Sequence, residues 1–402
     1  MKIGIFFESS PNAGGAFHTN LNIVNIFNEY NKNIFDITYI VISREAEKLL
    51  KAKGCKCIYF KSTFFFRLQN IMVKSIIFNS LLKKLKIRNK FEDFILNNKF
   101  DIIYFNSPTK FSTFLREIPF VMNIYEMQHR TDSYFPEYRK SEHTLEARDE
   151  IIFNAVKKSF KIIVATEKDK NLLKELYNSY NGNVEIQPYI PQIPNLYENQ
   201  YKGENFRKIF DSLEISGKNI LFYPAQFWAH KNHRYIVDAI KFLKKNGREE
   251  IKVIFTGHDK SNKKFIKKII DNENLNDNFI FLDYVNDKQL ISLYLNCTAL
   301  IMPTFVGHST LPLYEAFYFK LPVFFTKNLL DDKLKDLVYE IDIYKPDDFI
   351  NVLNEFEKDV ANKNKKIEAG KNFYETNCKK LGLFNKLSKI FNELDYLKKR
   401  WM

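Results

Sequence analysis

Four cysteines in 402 residues are few, and their spacing matters more than their number. Cys55 and Cys57 have no second Cys or His pair at zinc-site spacing, and Cys297 and Cys378 stand alone, so neither a disulfide framework nor a zinc module is encoded. All four read as core or incidental thiols. The chain also lacks any run approaching the roughly 20 uninterrupted apolar residues of a membrane span. Its first residues show no basic segment leading into an apolar one, so a cytosolic protein is expected. Internal repeats, low-complexity tracts and coiled-coil heptads are absent as well.

Acidic residues are the other shortage, 48 against 62 basic ones, a net charge of +14 that favours an anionic partner. Much of the surplus is spread along the chain, but one segment concentrates it. Lys61 to Lys90 carries eight basic residues and no acid, interleaved with Phe64, Phe65, Phe66, Ile71, Ile76 and Leu81 at helical spacing. That pattern suits a basic amphipathic helix on an anionic membrane surface, or equally a helix that packs its apolar side on a core and solvates its lysines. Lys398-Lys-Arg-Trp-Met402 repeats the theme at the C-terminal end. No recognisable nucleic-acid module accompanies either patch, so a nucleic-acid partner is not expected.

A chain of this length exceeds one ordinary core. Apolar runs at Lys2–Phe7, Asp36–Ile42, Lys56–Phe60, Asp101–Asn106, Ile118–Tyr125, Lys161–Ala165 and Val184–Gln187 alternate with helical patterns. Continuous runs of this kind, rather than period-two alternation, predict a parallel sheet covered on both faces. Three prolines in Gln187–Pro194 and the polar stretch Asn195–Asn205 interrupt the pattern and read as a linker. A second alternation follows, with strands at Asn219–Tyr223, Lys252–Thr256, Phe279–Leu282, Ala299–Met302 and Val323–Thr326, and helices at His233–Lys245, Asn262–Asn272, Asp287–Asn296 and Leu311–Phe319. The expected fold is α/β: two Rossmann-like, doubly wound parallel-sheet domains, residues 1–195 and 196–380, facing each other across a cleft. A final helix over 381–402 is placed to cross back to the first.

In such sheets ligands bind beyond the carboxyl ends of strands. After Ala299–Met302 a polar turn leads to Pro312, which suits a helix's first turn and leaves the amides of Ser309, Thr310 and Leu311 free to hold an anion against the helix dipole. Glu315, one turn further in, either complements that dipole or accepts hydrogen bonds from a pair of ribose hydroxyls. After Asn219–Tyr223 comes Pro224-Ala-Gln226-Phe-Trp-Ala-His230-Lys231-Asn232-His233. Asn232 is placed as an N-cap, and Lys231 beside two imidazoles suits a departing diphosphate. Gly14-Gly15, after the first strand, is a plain turn or a close backbone approach to a ligand. Glu126-Met-Gln-His129-Arg130, on a loop of the first domain, would face the same cleft and contact the reacting sugar or acceptor. No carboxylate pair has the setting of a metal site; Glu340, Asp342, Asp347 and Asp348 lie outside the cleft.

These segments resemble the retaining glycosyltransferases of family 4, group 1 enzymes of the mannosyltransferase-like type with the GT-B fold. The resemblance is carried by Tyr223–His233, by Phe255-Thr-Gly257, by Phe281–Asp287 and by Ala299–Phe325. In the first half it rests on Gly14-Gly15, Tyr125–His129, Phe135-Pro-Glu137 and Arg148. It implies a retaining, metal-independent, cofactor-free transfer of a hexose from a nucleotide diphosphate sugar to a polysaccharide, lipopolysaccharide or glycolipid acceptor. It implies donor contacts at Glu315, Thr310, Leu311, Ser309, Gln226, His230 and Gly257, and catalytic roles for Lys231, His129 and Glu126. The protein would be cytoplasmic, peripheral to the membrane where the basic patches touch it. Three departures stand out: Gly307 replaces the first of two glutamates that the family spaces by seven residues, Tyr125 and Glu126 stand where many relatives have His and Asp, leaving His129 as the only histidine of that loop, and Gln226 replaces the family's usual basic residue. A sugar-nucleotide epimerase or hydrolase of the same fold, or a basic membrane- or nucleic-acid-binding non-enzyme, is the alternative.

Overall fold

The computed structural model describes residues 1–8, 15–61, 88–139, 145–215, 217 and 219–400. Gly14 and most of the basic segment Lys61–Lys90 therefore lie outside the described residues. Seven parallel strands form the first sheet, in chain order β1 (Lys2–Phe7), β2 (Asp36–Val41), β3 (Cys57–Tyr59), β4 (Ile102–Phe105), β5 (Phe120–Asn123), β6 (Lys161–Val164) and β7 (Val184–Ile186). Their order across the sheet is β3-β2-β1-β4-β5-β6-β7. Six more, β8 (Asn219–Pro224), β9 (Ile251–Thr256), β10 (Phe279–Leu282), β11 (Ala299–Met302), β12 (Val323–Thr326) and β13 (Tyr339–Ile341), form the second in the order β10-β9-β8-β11-β12-β13. All pairings are parallel. In both sheets the strand order reverses beside the first strand of the unit, which opens a crevice at the carboxyl ends.

The central strands are buried along their whole length, β4, β11 and β12 on every residue, as continuous apolar runs require. Two expectations change. The run Ile118–Tyr125 yields only the four residues of β5, because Pro119 has no N–H for the ladder and the chain leaves the sheet after Asn123. β13 is a three-residue edge strand too short to leave a pattern.

The segment between the sheets is docked rather than loose. Ile190 and Ile193 are buried, the Asn22 side chain donates to the Ile190 carbonyl (2.8 Å), and Gln192–Leu196 is a short helix. The helix Lys380–Lys398 packs on the first domain: Phe384 and Phe391 meet Phe27 and Phe35, Lys380 pairs with Glu29 (3.0 Å), and Lys398 pairs with Asp101 (2.7 Å). Lys398 is thereby committed to a carboxylate of the protein rather than offered to lipid. Among the described residues no helix is long and apolar enough to cross a membrane. The four cysteines are unpaired, three of them buried.

Candidate active site

The segment after β11 folds as its sequence dictates. Thr310, in extended conformation, caps the helix Leu311–Tyr318 by accepting the Leu313 amide (3.4 Å), and Pro312 occupies the first turn. Among the described residues the amides of Ser309, Thr310 and Leu311 have no acceptor. They are the ready donors of a helix N-terminus. Glu315 projects from the next turn, 7% exposed, with Oε2 accepting the Tyr294 hydroxyl (2.6 Å). Burial lifts its pKa to about 7, with a smaller push from Asp287, against the pull of Tyr294.

The neighbouring loop follows β8. Asn232, at φ 53°, caps the helix His233–Lys245 through the Tyr235 amide. The His230 carbonyl accepts both the Phe305 amide (2.9 Å) and the Thr304 hydroxyl (3.3 Å), and the Tyr223 hydroxyl donates to the Lys231 carbonyl (2.7 Å). These bonds tie the Lys231 loop to the loop leading into Leu311. Lys231 is half-buried, and among the described residues its ammonium has no ion-pair partner within 4.0 Å. Burial lowers its pKa, opposed by the charges of Glu126 and Glu137 from the other domain. Gln226 accepts the Trp228 indole N–H (3.0 Å). Gly257, at φ 119°, ends β9 where a Cβ would stand 2.7 Å from the Ala225 carbonyl oxygen, so only glycine fits there.

First-domain residues close on this loop. Glu137 accepts both the His230 amide (3.0 Å) and its Nδ1. Phe135, Tyr138 and Val306 form a small apolar cluster between the domains. His230 is lowered by burial, with Glu137 opposing. Burial would raise Glu137, but the His230 bonds outweigh it and hold it below the usual carboxylate range. Glu126 is bound by Arg148 (2.8 Å) and the Tyr138 hydroxyl (3.4 Å). Gly15 opens the helix Gly15–Tyr30 beyond β1.

Two imidazoles are not where the sequence suggests. His129 is fully buried and turned into the first domain, with Nε2 on Asp149 (3.0 Å) and beside the Tyr177 hydroxyl (3.2 Å). Burial lowers its pKa despite Asp149. It shapes the loop and does not face the cleft. His233 is fully buried against Phe227 (ring centroids 4.2 Å), burial pushing it down to about 3. It is a neutral core residue, so His230 alone accompanies Lys231.

Residues missed from the sequence sit beside Gly307. His308 Nδ1 contacts Asp169 Oδ1 (2.8 Å), and its Nε2 contacts the Gln128 amide (3.2 Å), so its ring bridges to the first domain through both nitrogens. Asp331 likewise accepts the amides of Glu167 (2.8 Å) and Lys168 (3.1 Å) at a first-domain helix N-terminus. These pairings span more than 130 residues of sequence, and no local pattern announces them.

Residues 205–373 match the family described as glycosyl transferases group 1. Over these residues the chain is similar to the group 1 glycosyltransferases. No curated protein matches the sequence. Among solved structures, the Anabaena protein HepE in complex with UDP-glucose superposes with a TM-score of 0.70 at 13% identity, covering 98% of this chain and 100% of that one. Sucrose-phosphate synthase from Thermosynechococcus elongatus does so at 0.70 and 12%, covering 98% and 99%. WaaG, a glycosyltransferase involved in lipopolysaccharide biosynthesis, gives 0.61 at 14%, covering 94% and 95%. These likenesses show the two-domain GT-B fold.

Gly307 has φ 100°, a conformation that L side chains adopt at a cost, although a Cβ there would meet only ordinary van der Waals contacts, 3.6 Å from the Ser309 carbonyl oxygen and 3.7 Å from Thr310 Cγ2. Gly307→Glu is therefore expected to lower stability by about 1 kcal/mol through backbone strain rather than to regain a donor contact. Urea unfolding of the variant checks this, and an unchanged midpoint would refute it.

Proposed function

We propose that this glycosyltransferase moves a hexose from a nucleotide diphosphate sugar to a saccharide or lipid-linked acceptor of a surface polysaccharide, with retention of configuration and without a metal. The observation that carries the reading is the helix start at Leu311. Free amides, a buried carboxylate one turn on, and Lys231 on the adjoining loop, without an ion-pair partner among the described residues, support an anion and diol site there. The diphosphate lies on the amides and Lys231, and the ribose on Glu315. As the acceptor oxygen bonds the anomeric carbon, the bond to the diphosphate breaks and the acceptor proton leaves on that diphosphate. Lys231 stabilises the charge that develops there. HepE, of the same fold, has been crystallised with UDP-glucose, which supports a sugar nucleotide as donor.

A panel of nucleotide sugars should contain one that raises the melting temperature, since a ligand of the native state stabilises it by mass action. Failure of every donor to do so would remove the assignment. Among the described residues no cluster of His, Cys, Asp and Glu could hold a metal ion. Turnover is expected to be unchanged after EDTA treatment, measured by nucleotide release; loss restored by a divalent cation would contradict metal independence.

A further inference from the structure

Beyond the carboxyl ends of β4 to β7 lies a narrow cavity of about 30 Å³, room for about two water-sized groups. Its polar walls are amides and hydroxyls: Asn123 ends β5, Asn106 and Gln187 stand past their strands, Thr19 and Asn22 face them from the helix Gly15–Tyr30, and Tyr125 and Tyr189 complete the ring. None of the described residues that line it is charged. The amides are oriented by one another. Asn123 donates to Asn106 (3.1 Å), Asn106 donates to Asn20 (3.1 Å), and the Tyr104 hydroxyl donates to Asn106 (3.0 Å). Asn22 breaks this pattern: it is 4% exposed or less, its Nδ2 is spent on the Ile190 carbonyl, and its buried Oδ1 has no donor among the described residues. A buried acceptor ordinarily finds a donor.

One wall belongs to the other domain. Leu311, the first residue of the helix whose amides form the proposed anion site, closes the cavity on that side. An occupant therefore lies against the place assigned to the donor diphosphate.

We propose that this cavity binds a pair of hydroxyls on the edge of a neutral sugar, and so fixes the acceptor as an uncharged saccharide end at the point of transfer. The proposal rests on the donor reading above for the direction of transfer, but not for the binding itself. Fixed amides match hydroxyls, which donate and accept at once, and Asn22 Oδ1 takes a hydroxyl proton. A carboxylate or phosphate on the sugar edge would enter a space where no cation among the described residues meets it.

Saturation-transfer NMR on the full chain with methyl α-glucoside, methyl α-mannoside and methyl α-glucuronide tests this. At least one neutral glycoside is expected to bind, and the glucuronide about tenfold more weakly, because its charge would be buried unpaired. Asn22→Leu, which removes the open acceptor, and Ala165→Leu, which fills the cavity and removes no polar group, should each weaken the neutral glycoside about tenfold. The melting-temperature shift produced by nucleotides should be retained in both. Equal binding by the native chain and either folded variant, a glucuronide that binds as well as the neutral sugars, or no glycoside binding at all would overturn the proposal and leave a water-filled cavity. If no nucleotide shifts the melting temperature, the donor reading fails, while the glycoside comparison still decides this one.

Discussion

Glu315→Gln is expected to melt at a higher temperature than the native chain near pH 8 while losing at least about tenfold in sugar transfer. Both halves follow from the burial of one carboxyl. Its pKa is raised from 4.5 to about 7, so the folded chain holds the proton more tightly than the unfolded chain does. A raised carboxyl pKa means that stability is lost as pH rises from about 4.5 to about 7, and that the full penalty is present above this window. Its size is at most about 3 kcal/mol, and the neutral amide avoids it while still accepting the Tyr294 hydroxyl. The stability gap between variant and native chain should therefore close as the pH is lowered. Transfer falls because an amide cannot accept two ribose hydroxyls as a carboxylate does. Thermal melts across pH, paired with nucleotide-release assays, read both effects. A variant that is no more stable at high pH, or one that transfers at the native rate, would sink this account of Glu315.

Lys231→Met should behave in the same way from the opposite charge. The ammonium is half-buried with no partner within ion-pair distance among the described residues, and burial lowers its pKa. A cation with a depressed pKa costs stability at pH values below that pKa, so the apolar variant should melt higher near neutrality. Turnover should fall by at least about tenfold, with the loss in kcat rather than KM, because charge on the leaving group is greatest in the transition state. A kcat within a factor of about two of native would remove Lys231 from catalysis. The two variants together test a site in which the diphosphate meets the Lys231 ammonium and the ribose hydroxyls meet the Glu315 carboxylate.

The architecture was readable because parallel, doubly covered sheets write themselves as uninterrupted apolar runs. Phe279–Leu282, Ala299–Met302 and Val323–Thr326 fall where the pattern puts them. The cap at Asn232 and the turn into Pro312 were readable for a similar reason, since helix termini use few residue types. Side-chain direction was not. Nothing in Glu126-Met-Gln-His129 tells that the histidine turns inward to Asp149 while Gln128 reaches His308, because that choice is made by residues of distant segments. The docking of Ile190 and Ile193 was hidden by prolines that look like a loose connection, although Pro194 lies buried within the short helix Gln192–Leu196.

The helix Lys380–Lys398 has a consequence for how the molecule is made. Phe27 and Phe35 need Phe384 and Phe391 to cover them, so the core begun by the first residues of the chain is completed by some of the last. The second sheet draws all its strands from one continuous stretch and can close as soon as it has been synthesised. During synthesis the first domain therefore keeps an apolar helix face uncovered until the helix Lys380–Lys398 has been made.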